Sequence, residues 1–250
     1  MKKDTYRQVL TEKPIQDWED YLIQESGLPG PRGNLELAQV VADLGDLPFF
    51  SHCLAYSSDI APTNNPREFV AFCGVVGLGR LIADGDRSLL PRLRPYASDP
   101  RWRLREATAM ALQRIGRQDI DFLLEIADDW SQGSWLEQRA AIAGLAEPDL
   151  LIKPEIIRKI LELLDRVTNA LQNALDRKAA DFRVLRQGLG YAWSVVVAAL
   201  PEEGTLHMER WFSCDDPDIH WVMRENLRKK RLEKAVPGWT ANWREQLTCS

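Results

Sequence analysis

Cysteine and histidine are scarce in this chain of 250 residues, with four of the first and three of the second. Cys53, Cys73, Cys214 and Cys249 show neither short pairing nor metal-ligand spacing, and His52, His207 and His220 stand apart from any H-E-x-x-H or Cys/His cluster. No metal site is therefore expected. Strand signals are almost as thin: only Ser194 to Ala199 is β-branched enough to compete, inside a longer helical pattern. The longest apolar stretch, Leu189 to Leu200, is too short to span a bilayer and carries Tyr191, Trp193 and Ser194. Met1-Lys2-Lys3-Asp4-Thr5 leads into polar sequence with no apolar signal region. Positive charge is not in excess either; a net charge of -5 argues against whole-molecule attraction to nucleic acid or an anionic membrane. These shortages point to a reduced, soluble, cytoplasmic protein that stays off membranes. Cys249, beside the terminus, is expected to be free and exposed.

What is present is helix. Hydrophobic residues make up 45% and charged residues 28%, enough for a sizeable core and too apolar for disorder. From Pro154 to Asn173, Ile156, Ile157, Ile160, Leu161, Leu164, Val167 and Leu171 recur at three- and four-residue steps and predict one inward stripe. Gly116 is expected to end a helix begun at Trp102, and Asp119 to cap the next, Ile120 to Trp130. Ser131 to Ser134 breaks the chain before Trp135 to Glu147, and Pro201 to Gly204 separates the helices around Tyr191 and Met208. Asp215-Asp216-Pro217 opens the last patterned segment, Ile219 to Leu232, while Ser57 to Pro66 reads as a loop.

A repeat underlies these helices. Leu89 to Leu93, then Ser98-Asp99-Pro100, then Trp102 to Leu112 matches Met208 to Phe212, then Asp215-Asp216-Pro217, then Trp221 to Leu227. Each reads as an amphipathic helix, an acidic-Pro turn, and a helix that opens with Trp and carries Arg-Glu in its first turns. A third copy runs from Phe122 through Asp128-Asp129 to Trp135 and Arg139; it lacks the Asp-Pro. A fourth runs from Ile156 to Phe182 and Arg186, with a long connection from Gln172 to Ala180. The spacing suits a helical-hairpin solenoid. These residues resemble the HEAT repeat family, whose unit is a helix, a turn carrying Asp-Pro, and a second helix opening with a hydrophobe and Arg. The resemblance covers Arg87 to Leu232, with a degenerate unit from Arg67 to Ala83. It implies an all-α fold, an α-solenoid of stacked antiparallel helical hairpins whose second helices line a concave face. The expected organisation is a helical cap over 1–65, the repeats over 66–236 and a capping helix over 237–250 after Pro237-Gly238, with Trp239 and Trp243, in one continuous domain.

Arg105, Arg139, Arg186 and Arg224 occupy equivalent places near the start of second helices, and Trp102, Trp135, Trp193 and Trp221 lie on the same helices. With Arg228 they are the candidates for a concave binding face, where guanidinium groups meet phosphates or an acidic peptide and aromatic rings stack on a ligand. The alternative is structural: each arginine bonds an acidic turn residue such as Asp99 or Asp216, and the tryptophans pack between repeats. Nine arginines from Arg80 to Arg117, and Arg224, Arg228, Lys229, Lys230, Arg231 and Lys234 near the end, are local basic runs that can equally be solvated helix faces. Gly74, Gly77 and Gly79 are out of order for a dinucleotide loop and fit close helix packing. Ser194 lacks a G-x-S-x-G surround. No catalytic residue is assigned and no cofactor is expected. The leading expectation is a non-enzymatic scaffold for a protein partner. The chain also resembles, distantly, the HEAT-like DNA glycosylases that release alkylated bases, with Trp102 and Glu106, or Asp128, Asp129, Trp130 and Trp135, as the nearest materials. That family's motif is not matched residue by residue, and a nucleic-acid partner stays as the alternative.

Overall fold

The computed structural model describes residues 2–248, and among these every regular element is helical. Cys249 lies outside the described residues. The chain divides into two compact units, Met1–Asp119 and Ile120–Ser250.

In the first unit, α1 (Lys2–Glu12), α2 (Trp18–Gln24), α3 (Leu35–Leu44) and α4 (Leu47–Cys53) precede the central helix α5 (Pro66–Ala83). Asn65 opens α5 by accepting the Arg67 N–H, with Pro66 in the first turn. Every residue from Glu68 to Gly79 is buried, because α2, α3, α4 and α7 (Trp102–Gln118) all pack on this helix. Its glycines are contact points: a Cβ on Gly77 would stand 2.4 Å from the Phe50 ring, and one on Gly79 would stand 2.5 Å from Ala111 Cα. Close packing is thus what those glycines permit. The loop from Ser57 to Pro66 is tied down by α7. Arg101 donates to the Tyr56 and Ala61 carbonyls and pairs with Asp99, while Arg103 donates to the Gly30 carbonyl at 2.5 Å and to Asn64. Arg103 also pairs at 3.1 Å with Glu68, both out of water.

Two expectations are corrected here. Gly116 does not stop α7, which continues to Gln118 with Gly116 buried inside it. The expected first helix at Leu89 to Leu93 is in fragments: a 3-10 turn, the four-residue α6 (Leu90–Leu93) and a second 3-10 turn over Arg94–Ser98. Pro91 and Pro95 each remove an N–H from the helical ladder, so no long helix propagates.

In the second unit, α8 (Ile120–Trp130), α10 (Pro154–Gln172) and α12 (Pro201–Phe212) pack respectively on α9 (Trp135–Leu145), α11 (Ala180–Ala199) and α13 (Pro217–Leu227). The second member of each pair also contacts the next, α9 on α11 and α11 on α13. α10 buries the stripe read from its sequence and leaves Arg158, Glu162 and Arg166 exposed. Ser134 and Glu137 form a capping box at α9. Asp165 on α10 accepts from His207 and from Trp211 at 2.8 Å, fastening α12. Pro201 to Gly204 do not separate helices; they form the first turn of α12, and the break is at Leu200. The segment Ile219 to Leu232 is two helices, α13 and α14 (Lys230–Ala235), parted at Arg228 and Lys229. α15 (Pro237–Thr248) follows, with Trp243 stacked on Phe212 at 4.3 Å between ring centroids.

Candidate functional site

In the second unit Arg183, Gln187 and Tyr191 recur every four residues along α11 and are all exposed, so they mark one stripe. Two glycines let the flanking helices close on it. A Cβ on Gly188 would lie 3.3 Å from Cγ of Arg139 on α9, and one on Gly190 would lie 3.1 Å from the Trp221 ring and 3.2 Å from Glu225 Cβ on α13. The side chains of α13 and α14 then couple to α11 through stacked cations. The Arg186 guanidinium sits 4.5 Å from the Trp221 ring centroid and pairs with Asp218. The Arg231 guanidinium sits 4.4 Å from the Tyr191 ring centroid and donates to its hydroxyl at 2.7 Å. Glu225 accepts from Arg228 at 2.5 Å, with Lys229 3.8 Å away. Arg183 and Arg224 are exposed, and their guanidinium groups make no hydrogen bond or ion pair among the described residues.

The turn before α13 is the electrostatic anchor of this face. Asp216 accepts from the N–H groups of Asp218 and Ile219, capping the helix, and pairs with Arg177 at 2.6 Å. Burial alone would raise its carboxyl, but Arg177 and the two N–H groups outweigh burial and hold it below the usual carboxylate range. Arg177 and Arg186 both reach Asp218, which joins the α10–α11 connection, α11 and α13. The structural reading of the repeated arginines therefore describes Arg186.

The other candidates fare differently. Trp193 is fully buried and donates to Thr168 on α10 at 3.0 Å, so it offers a ligand no surface and leaves the set. Trp135 is half-buried and meets the Phe182 ring edge-on. Trp102 and Arg105 belong to the first unit. Trp102 is 43% exposed with the Arg103 guanidinium 4.3 Å from its ring, while Arg105 donates to the carbonyls of Asp99 and Pro100. Arg105 thus closes its own turn through backbone, not through the Asp99 carboxylate. Among the glycosylase-like materials, Trp130 is buried and Asp128 pairs with Arg166 at 2.6 Å.

The sequence does not mark Tyr191 and Arg231 as site residues, because Tyr191 reads only as an interruption in an apolar run. Its four-residue spacing from Arg183 and Gln187 is the signal that marks it. The nine arginines from Arg80 to Arg117 do not make a free basic patch. Arg101 and Arg103 are buried; Arg80, Arg87 and Arg114 pair with Asp84, Asp119 and Asp43.

A second polar cluster sits in the first unit, where Glu19 accepts from His52 at 2.5 Å and from Tyr56. The Glu19 carboxylate, with burial, pushes the Tyr56 hydroxyl up to about 12. Burial raises Glu19 itself, yet the Tyr56 and His52 bonds hold it below its ordinary value. These groups satisfy one another.

Among the described residues, no group of three or more histidine, cysteine, aspartate or glutamate side chains could hold a metal, and no helix is long and apolar enough to cross a membrane. No protein-family model, no curated protein and no solved structure matches the chain.

Proposed function

We propose that this chain is a non-enzymatic binding scaffold of HEAT-like helical pairs, and that α9, α11 and α13 present its binding face to a protein partner through an acidic segment. The order of packing supports the HEAT-like reading, because each second helix lies against the next while its first helix packs on it. The observation that carries the function is the pair of exposed arginines, Arg183 and Arg224, unpaired among the described residues, on the same two helices as Tyr191 and Trp221, whose rings carry Arg231 and Arg186. Guanidinium groups without a carboxylate partner bind carboxylates in a fork geometry, and aromatic neighbours add apolar contact area. Arg228 and Lys229 extend the positive charge beyond Glu225.

Phosphate oxygens have the same acceptor chemistry, so the test separates the two partners. The tagged protein should retain one stoichiometric protein that is lost on Arg183→Glu with Arg224→Glu, at an unchanged melting temperature. Labelled single- and double-stranded DNA and RNA are titrated in parallel by fluorescence anisotropy at two salt concentrations. Binding that weakens steeply with salt would replace the protein partner with a nucleic acid. Retention of the protein by the charge-reversed variant would remove this face from the function.

A further inference from the structure

The stripe on α11 sets unlike chemistries in a fixed order. Arg183 and Gln187 stand about one turn apart and Tyr191 follows at the same step, all three exposed. The Gln187 side chain makes no hydrogen bond among the described residues. α13 runs beside α11 in the same direction: Asp218 pairs with Arg186, Trp221 and Glu225 lie against Gly190, and Asn226 accepts the Ser194 N–H at 2.7 Å. Arg224 is therefore level with the Tyr191 end of the stripe, and Arg183 stands at the other end. The seam between the two helices holds the Trp221 ring with the Arg186 guanidinium over it, and Asp218 fixes that guanidinium. Glu225 is engaged by Arg228 and Lys229.

These positions set a spacing. The helix rises about 12 Å from Arg183 to Tyr191, and neighbouring helix axes stand about 8–10 Å apart, so Arg183 and Arg224 are rooted about 15 Å from each other. Four steps of extended chain cover about 13 Å, and the long arginine stems make up the difference; two steps cover about 7 Å and fall short. An extended chain also gives the amide between the arginines something to do. A helix uses its backbone N–H and C=O groups internally, whereas an extended segment leaves them for an outside partner. A carboxamide carries an acceptor oxygen and a donor NH2, the set that pairs with a backbone amide.

We propose that the acidic segment held by this face is extended, with carboxylates four residues apart on Arg183 and Arg224 and the N–H of the residue midway between them donated to Gln187 Oε1. This rests on the acidic partner proposed for the face, to which it adds conformation and spacing.

The test titrates the intact protein by calorimetry with three capped pentapeptides: Glu-Thr-Gly-Thr-Glu, its isomer Thr-Glu-Gly-Glu-Thr, and Glu-Thr-sarcosine-Thr-Glu, in which an N-methyl group replaces the central N–H. The first is expected to bind about tenfold more tightly than its isomer, whose carboxylates reach one arginine at a time. The sarcosine peptide should bind about fivefold more weakly than its parent. Gln187→Met keeps a good helix former at an exposed position; it should cost the parent peptide about the same factor and the sarcosine peptide nothing further. Equal binding of the two isomers, a sarcosine peptide as tight as its parent, or a Gln187→Met variant that holds the parent peptide as well as the native chain does would each overturn the inference. The acidic reading of the face then stands if Arg183→Glu with Arg224→Glu still abolishes binding. No heat from any of the peptides at millimolar concentration overturns the inference as well, and the protein retained in the pull-down decides that reading separately.

Discussion

Trp102 with Arg105 on α7, and Trp221 with Arg224 on α13, are the same Trp-x-x-Arg element placed in two units of one chain. In the first unit Arg105 folds back on the Asp99 and Pro100 carbonyls, and the arginines around it, Arg101 and Arg103, are buried. In the second unit Arg224 projects into solvent without a partner among the described residues, while Asp216 is engaged by Arg177. The difference lies in what each turn must hold. Before α7 the turn must anchor the loop from Ser57 to Pro66, and it does so through Arg101 on the Tyr56 and Ala61 carbonyls. Before α13 a separate arginine, Arg177, supplies the anchoring charge, and the motif arginine is left for other contacts. One motif thus serves stability in one place and is left unengaged among the described residues in the other.

The largest test of this contrast is Arg103→Met. It leaves the Glu68 carboxylate buried without its partner, and removing one member of such a pair costs about 3–5 kcal/mol. Urea unfolding followed by tryptophan fluorescence should register a loss of this size, and a loss below about 1 kcal/mol would mean the first unit does not depend on its inward arginines.

Asp216→Ala removes both an N-cap and the Arg177 pair, for about 2 kcal/mol. Its sign with pH follows from the direction of the shift. Because the folded carboxyl is held below its unfolded value, the stabilisation is full above the ordinary carboxylate range and is lost as pH falls through the folded value. Thermal melts from neutral pH into acid should therefore fall less steeply in Asp216→Ala than in the native chain. Parallel curves would take Asp216 out of the anchor.

Arg105→Ala and Arg224→Ala compare the motif with itself. The first loses hydrogen bonds to carbonyls and should cost about 1 kcal/mol, while the second should stay within about 0.5 kcal/mol. Equal costs would erase the distinction between the two units. The smallest expected effect on stability belongs to Arg183→Glu with Arg224→Glu, which should leave melting unchanged and act on binding alone.

Helix positions were legible where the apolar spacing was regular, as in α10, and where a cap stood at the right place, as with Ser134 and Asp216. Legibility failed where competing local signals met. Pro91 and Pro95 broke a helix whose apolar pattern was intact. Among the candidate residues, Trp193 lies in the apolar run from Leu189 to Leu200, whereas Trp221 follows the charged turn Asp215-Asp216-Pro217. The rotation of α11 separates them: it turns Trp193 onto Thr168 and brings Gly190 under the Trp221 ring.

The sequence by itself determined that this chain is helical, where most helices begin and end, and which residue types recur near the starts of the second helices. Those are local matters, set by periodicity and capping over a few residues. Tertiary structure alone decided which of the recurring residues are consumed. Whether an arginine meets Glu68, a tryptophan ring or water depends on residues tens of positions away, brought together only when glycines such as Gly79 and Gly190 let helices close on one another. The pairing of Tyr191 with Arg231, 40 positions apart, is of that kind.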